Sequence, residues 1–397
     1  MNACSTSRFR LVAVVVAGVC AFLNLYAPQP LLPTLAQAFH VGAGRIGLVV
    51  SATTLGVALS APFMGMLADR FGRRTILVIS LFGLAIPTAM VSTTGSLEAM
   101  VVWRFLVGIF MPGIIASAIA YIAEEWREDA PKAVATYVTS TVFGGFVGRV
   151  ATGFIAEHGG WRLSFLVLGA TTLLGAILVQ RWLPASRGFV PEKHWWRGLL
   201  DIGHHLGNPV LLATYAVGFS VLFSLVATFT YVTFHLAAPP YKLGPAQQGM
   251  IFFVYLVGLF VTPASGGWIQ RFGAAQAVLG AIAFSCLGVL LTLARPLPLV
   301  IAGLALCSSG VFVCQAAASN FVGQAADRSR SVAVGLYLSF YYAGGSAGAF
   351  VPGWVWDRAG WPGCVALVVV VQLLCAGIVT VFWRAPALDV DVDEAVS

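Results

Sequence analysis

The chain has 397 residues, of which 59% are hydrophobic and only 9% charged, with a mean hydropathy of +0.90. Water-soluble domains carry roughly 25% charged residues, so this composition excludes a soluble globular fold for most of the length. The net charge of +7 has a topological origin, developed next, and does not call for a nucleic-acid partner.

An apolar run of about 20 residues is enough to cross a hydrocarbon core of roughly 30 Å. Twelve such runs are predicted, over 11–33, 45–68, 74–94, 97–123, 131–156 and 162–183, then 209–236, 246–270, 274–294, 297–325, 331–356 and 362–383. The even number puts both termini on one side. With that side inside, fifteen basic residues are cytoplasmic, among them Arg70, Arg73, Arg74, Arg187, Lys193 and Arg197. Five lie outside: Arg45, Arg162, Lys242, Arg295 and Arg358. This imbalance predicts that both termini are cytoplasmic, and the expected location is a bacterial inner membrane.

The first run resembles a signal peptide ending at Ala36-Gln37-Ala38, but it is too long for one and is interrupted by Pro28, Pro30 and Pro33. The seven cysteines are scattered, with no disulfide or metal spacing, and no metal or cofactor is expected. A polar segment at 184–208 contains Trp195, Trp196 and the pair His204-His205. It reads as a solvated loop with tryptophans at the headgroup level. The predicted organisation is therefore a six-helix bundle over 1–183, a cytoplasmic linker at 184–208, a second bundle over 209–383 and a tail at 384–397.

An internal repeat relates the halves. Ala133, Tyr137, Gly144, Gly145, Gly148, Gly153, Gly160 and Trp161 recur 200 residues later as Ala333, Tyr337, Gly344, Gly345, Gly348, Gly353, Gly360 and Trp361. Glu157 likewise pairs with Asp357. Gly144-x-x-x-Gly148 and Gly344-x-x-x-Gly348 are spacings that let helices approach closely. Tandem halves of this kind place a solute site at their interface near the bilayer midplane.

Gly65-x-x-x-Asp69-Arg70-x-Gly72-Arg73-Arg74, between spans two and three, resembles the signature loop of the major facilitator superfamily. Arg104-x-x-x-Gly108 in span four is similar to that superfamily's second motif. Asn24-x-Tyr26-x-Pro28 and the glycine-rich fifth span point to its drug:proton antiporter branch. The resemblance covers the whole chain and implies an all-α membrane protein of two pseudo-symmetric six-helix bundles. It also implies that Asp69 meets the N-terminal end of span eleven, a charge–dipole contact worth roughly 0.3–2 kcal/mol, and holds the cytoplasmic side shut. Gly65, Arg70, Gly72 and Arg73 complete that gating motif. The chain departs from the branch at Arg149, where a proline is usual, and at Asn24, where an acid is frequent.

Arg104 and Arg149 are the two arginines or lysines that lie away from the ends of the predicted spans. Each lies about eight residues, or roughly 12 Å at helical rise, below the outer end of its span. Arginine keeps its proton, so both need partners. On one reading they line the cavity and attract an anionic or acceptor-rich solute; on the other they bind backbone carbonyls as structural cement. Further cavity candidates are Asn24, Tyr26, Tyr231, His235, Gln315, Asn320, Tyr337 and Tyr341, with His235 as the one intramembrane group suited to carry a proton.

The expected function is secondary active export of a small organic solute by alternating access, coupled to protons, from a monomer. Uptake or exchange of an organic anion without proton antiport is the alternative. A membrane-embedded enzyme is a distant alternative, because no metal motif and no paired carboxylates fall within the spans.

Overall fold

The computed structural model describes residues 3–184, 186, 198–325 and 330–383. Arg187, Lys193, Trp195, Trp196, Arg197, Arg328 and the 384–397 tail lie outside them.

Helix α1 (Ala3–Leu25) stops short of the predicted end of span one. Pro28 and Pro30 have no N–H with which to continue the ladder. The chain bends through Tyr26–Pro28 into a 3-10 turn at Gln29–Leu31 and then α2 (Leu32–Ala38). The last carbonyls of α1 are thereby left without intrahelical donors. α3 (Ala43–Ile46), α4 (Leu48–Phe71), α5 (Arg73–Val91) and α6 (Leu97–Trp126) follow.

α7 (Ala130–Trp182) has 53 residues, about 80 Å at helical rise and more than twice the hydrocarbon thickness. It is two crossings joined at Gly160, whose φ of 79° lies where only glycine is comfortable. α8 (Gly198–Gly207) occupies part of the segment expected to be a solvated loop, and His205 on it is fully buried. α9 (Pro209–Ala237) is unbroken, whereas the predicted eighth span divides into α10 (Pro245–Ile251), a 3-10 stretch at Phe252–Val257 and α11 (Gly258–Phe272). α12 (Ala274–Leu291) and α13 (Leu297–Ala325) lead to α14 (Arg330–Phe382), which turns at Gly360 as α7 does at Gly160. With α7 and α14 each counted twice, the ten long apolar helical segments among the described residues make the twelve predicted crossings.

The repeat has a direct structural cause. Gly144 and Gly148 of α7 lie against the backbone carbonyls of Val19 and Leu23 in α1, and Gly344 and Gly348 of α14 lie against those of Phe219 and Phe223 in α9. At all four a Cβ would overlap the facing carbonyl oxygen. Two turns before Gly144 and Gly344, the rings of Tyr137 and Tyr337 fill notches left by Gly18 and Gly218. Each half therefore contains the same glycine-faced crossing. Lipid offers no hydrophobic drive between helices, so such close contact carries the association.

Gly148→Val should destabilise the protein by about 3 kcal/mol or more, since overpacking against backbone finds no flexible neighbour to give way. Gly266→Ala, whose Cβ would meet no heavy atom within 4 Å, should melt like the parent. Thermal unfolding in detergent, followed by size-exclusion fluorescence, measures both.

Candidate functional site

A cavity of about 620 Å³ lies between the two halves, within the range of small-molecule sites. The first half lines it with Phe22 of α1, Val57, Pro62, Gly65 and Asp69 of α4, and Pro112, Ala116 and Ala120 of α6. The second half contributes Gln315 of α13 and Val332, Gly335, Tyr341 and Tyr342 of α14, and Ile202 of α8 borders it as well. The cavity's walls are mostly apolar, and it runs to the end of the bundle at which α4 meets α5.

The opposite end is shut by two crossings between the halves, built alike. In the first, Gly44 packs on Gly353, and Gly47 on the carbonyl of Ala349. The Tyr231 hydroxyl donates to Ala349 O at 2.8 Å in the same place. In the second, Gly153 meets the backbone of Pro245 and Ala246, while Gly249 meets Arg149 O and Val150. Glu157 Oε2 accepts from the Ala246 N–H at 2.9 Å, a carboxylate at the first turn of α10, where the helix end is positive. Its repeat mate Asp357 approaches Gly42, the residue that precedes α3.

Arg149 sits just inside the second crossing. Its Nε donates to Gln29 Oε1 at 2.8 Å and its Nη1 to Gly145 O at 2.7 Å. The guanidinium lies 4.8 to 4.9 Å from the ring centroids of Tyr26, Phe252 and Tyr255, within cation–π range. Gln29 in turn donates to Thr230 Oγ1 of α9 at 3.4 Å. One side chain thus ties the break in α1 to both α7 and the 3-10 stretch of the other half.

Arg104 does not line the cavity. It is fully buried, and its Nη1 and Nη2 donate to Asn24 O at 2.9 Å and Leu25 O at 2.6 Å, its Nε to Val49 O at 3.4 Å. Two of these acceptors are the carbonyls freed by the break in α1, so the arginine ends that helix. Asn24 also points away, donating to Cys20 O at 2.7 Å and Thr172 Oγ1 at 2.8 Å. Tyr231 belongs to the closed end, and Tyr337 fills the Gly218 notch. His235 stacks on Trp361 at 5.7 Å and meets Tyr241 edge-on, and Asn320 is exposed on α13 outside the lining. Of the sequence candidates, Gln315 and Tyr341 reach the cavity, and Tyr26 and Arg149 stand above it.

The turn between α4 and α5 is a clamp within the first half. Gly72 adopts a φ of 97°, and Asp69 pairs with Arg73, whose Nε also reaches Glu124 Oε1 at 3.0 Å. Arg74 donates to Gln180 O at 2.8 Å and to Leu183 O at the end of α7, and Arg70 covers the Phe71 ring at 5.1 Å. Asp69 and Val332 both line the cavity here, with the start of α14 across open space.

Sequence reasoning passed over Gln29, Phe252, Tyr255 and Tyr342. Gln29 was within reach, as a lone amide between two prolines in an apolar run. The other three are aromatic residues in aromatic-rich spans, and no pattern separates them from packing residues.

Two tandem helical halves around a cavity open at one end define a multi-pass membrane transporter, not an enzyme. The chain belongs to the Major Facilitator Superfamily, whose family profile matches residues 14–244 and again 233–395. It is 30% identical to the MFS-type transporter YybF of Bacillus subtilis (strain 168) over 364 residues, covering 91% of this chain and 90% of that protein. It is also 30% identical to the inner membrane transport protein YnfM of Escherichia coli (strain K12) over 367 residues, covering 91% and 88%. Among solved structures, a bacterial homologue of the human lysosomal transporter Spinster, in an inward-facing and unoccupied conformation, superposes with a TM-score of 0.80. That match has 15% sequence identity and covers 96% of this chain and 98% of the other.

Arg104→Ala should lower thermal stability by about 3 kcal/mol, the scale for charge-assisted hydrogen bonds to buried acceptors. Arg104→Lys, with a single point charge in place of a planar fork, should recover only part of it. Melting curves in detergent decide, and unchanged stability for Arg104→Ala would return the residue to a purely functional role.

Proposed function

We propose that this protein is a secondary active transporter that exports a small organic solute across the bacterial inner membrane by alternating access, as a monomer. The observation that carries the reading is the asymmetry of the central space. It is open by the α4–α5 turn and shut at the other end by two glycine-lined crossings that join the halves. The excess of arginine and lysine in the loops on the open side supports its being cytoplasmic.

In this reading the closed end is a releasable latch. Each crossing is a backbone-to-backbone contact of small residues, finished by an acid beside a helix start: Glu157 for α10 and Asp357 for α3. Asp69 plays the corresponding part at the open end, paired with Arg73 until α14 swings in. Three acids at helix ends then take part, two outside and one inside, and rocking the halves exchanges one set for the other. Export rather than import rests on the likeness of spans one and five to the antiporter branch. Proton coupling rests on the same likeness, and Asp69, at the cavity mouth, is the titratable acid best placed for it.

A Glu157→Cys/Ala246→Cys pair, in a background lacking the native cysteines, tests the cycle without knowledge of the solute. Bridging the pair from outside with a short bifunctional thiol reagent should abolish transport and raise the internal level of one or a few metabolites. A third cysteine, Ala120→Cys, should then react only from the cytoplasmic side. Identical metabolite profiles and labelling with and without the bridge would sink alternating access at this latch. Depletion in place of accumulation would reverse the direction. Once the solute is known, everted vesicles whose uptake ignores an imposed pH gradient would replace antiport by exchange.

A further inference from the structure

The two intramembrane arginines are satisfied to different degrees. Arg104 has a backbone carbonyl for Nε, Nη1 and Nη2 alike. Arg149 has acceptors for Nε and Nη1, and among the described residues nothing accepts from its Nη2. A second donor stands beside it with the same deficit. The Tyr26 hydroxyl is buried without a hydrogen-bond partner, on a side chain only 9% exposed, and the Tyr26 ring lies 4.8 Å from the Arg149 guanidinium. A guanidinium that keeps its charge and a phenol that keeps its proton thus leave an N–H and an O–H unpartnered side by side, in a medium where water does not make up the loss.

Resting on the carrier reading above, we propose that Arg149 and Tyr26 form the anion-binding pole of the transported solute's site. The ligand is a monoanion, a single carboxylate on a flat apolar body. The count of charge sets the first property. Arg149 stands in a cage of neutral partners, and the cavity's described lining adds no second cation, its one charged residue being Asp69 at the mouth. A dianion or a phosphate ester would therefore carry a negative charge without a partner into a poorly hydrated space. The shape of the pocket sets the second property. Tyr26, Phe252 and Tyr255 surround the guanidinium with ring faces, and Tyr341 and Tyr342 meet edge to face at 5.4 Å on the wall below. Such surfaces stack a planar apolar group and offer few polar atoms to anything else.

Access runs along α1. A Cβ on Gly145 would stand 3.4 Å from Arg149 Nη1 and 3.9 Å from Phe22 Cβ, and Phe22 is part of the cavity lining. The pole is thus one side chain above the cavity, and movement of Phe22 opens the way to it. The same geometry couples binding to the latch. Arg149 O packs on Gly249 of α10 within the second crossing, while its guanidinium faces rings of the other half. An anion that draws the guanidinium toward itself therefore acts directly on the contact that holds the outer end shut.

The test uses the full-length protein in lipid nanodiscs at neutral pH and matched ionic strength, with benzoate as probe, benzamide as its neutral twin and phthalate as a dianion. Benzoate should raise the melting temperature, benzamide should not, and phthalate should do less than benzoate. Arg149→Gln should remove the benzoate response. Tyr26→Phe should weaken the apparent affinity about tenfold, as expected for one hydrogen bond to a charged acceptor. Arg149→Lys, which keeps the charge without the fork, guards against misfolding and should retain a reduced response. Equal shifts with benzoate and benzamide, no shift with benzoate up to saturation, or a benzoate response that survives in Arg149→Gln would each overturn the proposal. Its failure would be separable from that of the carrier reading. If the bridged Glu157→Cys/Ala246→Cys protein stops transport while the probes do not discriminate, the carrier stands and the anion pole falls. If bridging changes nothing, the carrier reading falls whatever the probes do.

Discussion

Inside a bilayer a guanidinium has no water to fall back on, and that constraint organises the first half of this protein. The prolines after α1 end the helix in mid-membrane and leave carbonyls at Asn24 and Leu25 without donors, a costly state in hydrocarbon. Arg104, a cation equally costly alone, donates to both. Neither defect is tolerable separately, and together they join α1, α4 and α6 at one point. The break so stabilised carries Tyr26 and Gln29 away from helical register and toward the interface between the halves. Arg149 reaches that same break from α7, so the site above the cavity depends on the join that Arg104 makes below it.

The second organising element is close backbone contact. Within each half, glycines bring α7 onto α1 and α14 onto α9. Between the halves, other glycines bring α3 and the residue before α4 onto α14, and α7 onto α10, at the closed end. The two sets have the same chemistry and different surroundings. Those within a half lie along continuous helices braced by bulky rings such as Tyr137 and Tyr337. Those between halves sit at helix ends, beside short or irregular pieces: α3, α10 and the 3-10 stretch. On the proposed cycle these weakly braced parts are the ones that open, and the cage just inside the second crossing puts a charged group where it can bias the opening.

The number of crossings, the division into halves and the offset of the repeat were legible because each depends on local composition or on matching residues. The glycines at 144, 148, 344 and 348 announced a close approach, although not the identity of the helix approached. The break in span one was visible as three prolines, but its consequence was not. Arg104 looked like a cavity residue because a buried cation invites that reading. Only the spatial meeting of α6 with the end of α1 reveals its carbonyl partners, 79 and 80 residues away. Asn24, Tyr231 and Tyr337 stand outside the cavity lining, which the sequence could not show for the same reason: a polar atom in an apolar helix marks a need for a partner without naming it.

By itself, then, the order of residues determined a membrane-embedded, two-fold repeated helical protein, because hydropathy, charge bias and glycine spacing act over one helix or one loop. Tertiary structure alone decided which arginine is cement and which stands with a donor to spare, and which end of the bundle is shut. Those outcomes turn on which acceptor lies within about 3 Å of a given nitrogen, and such distances are set by the packing of helices remote in the chain.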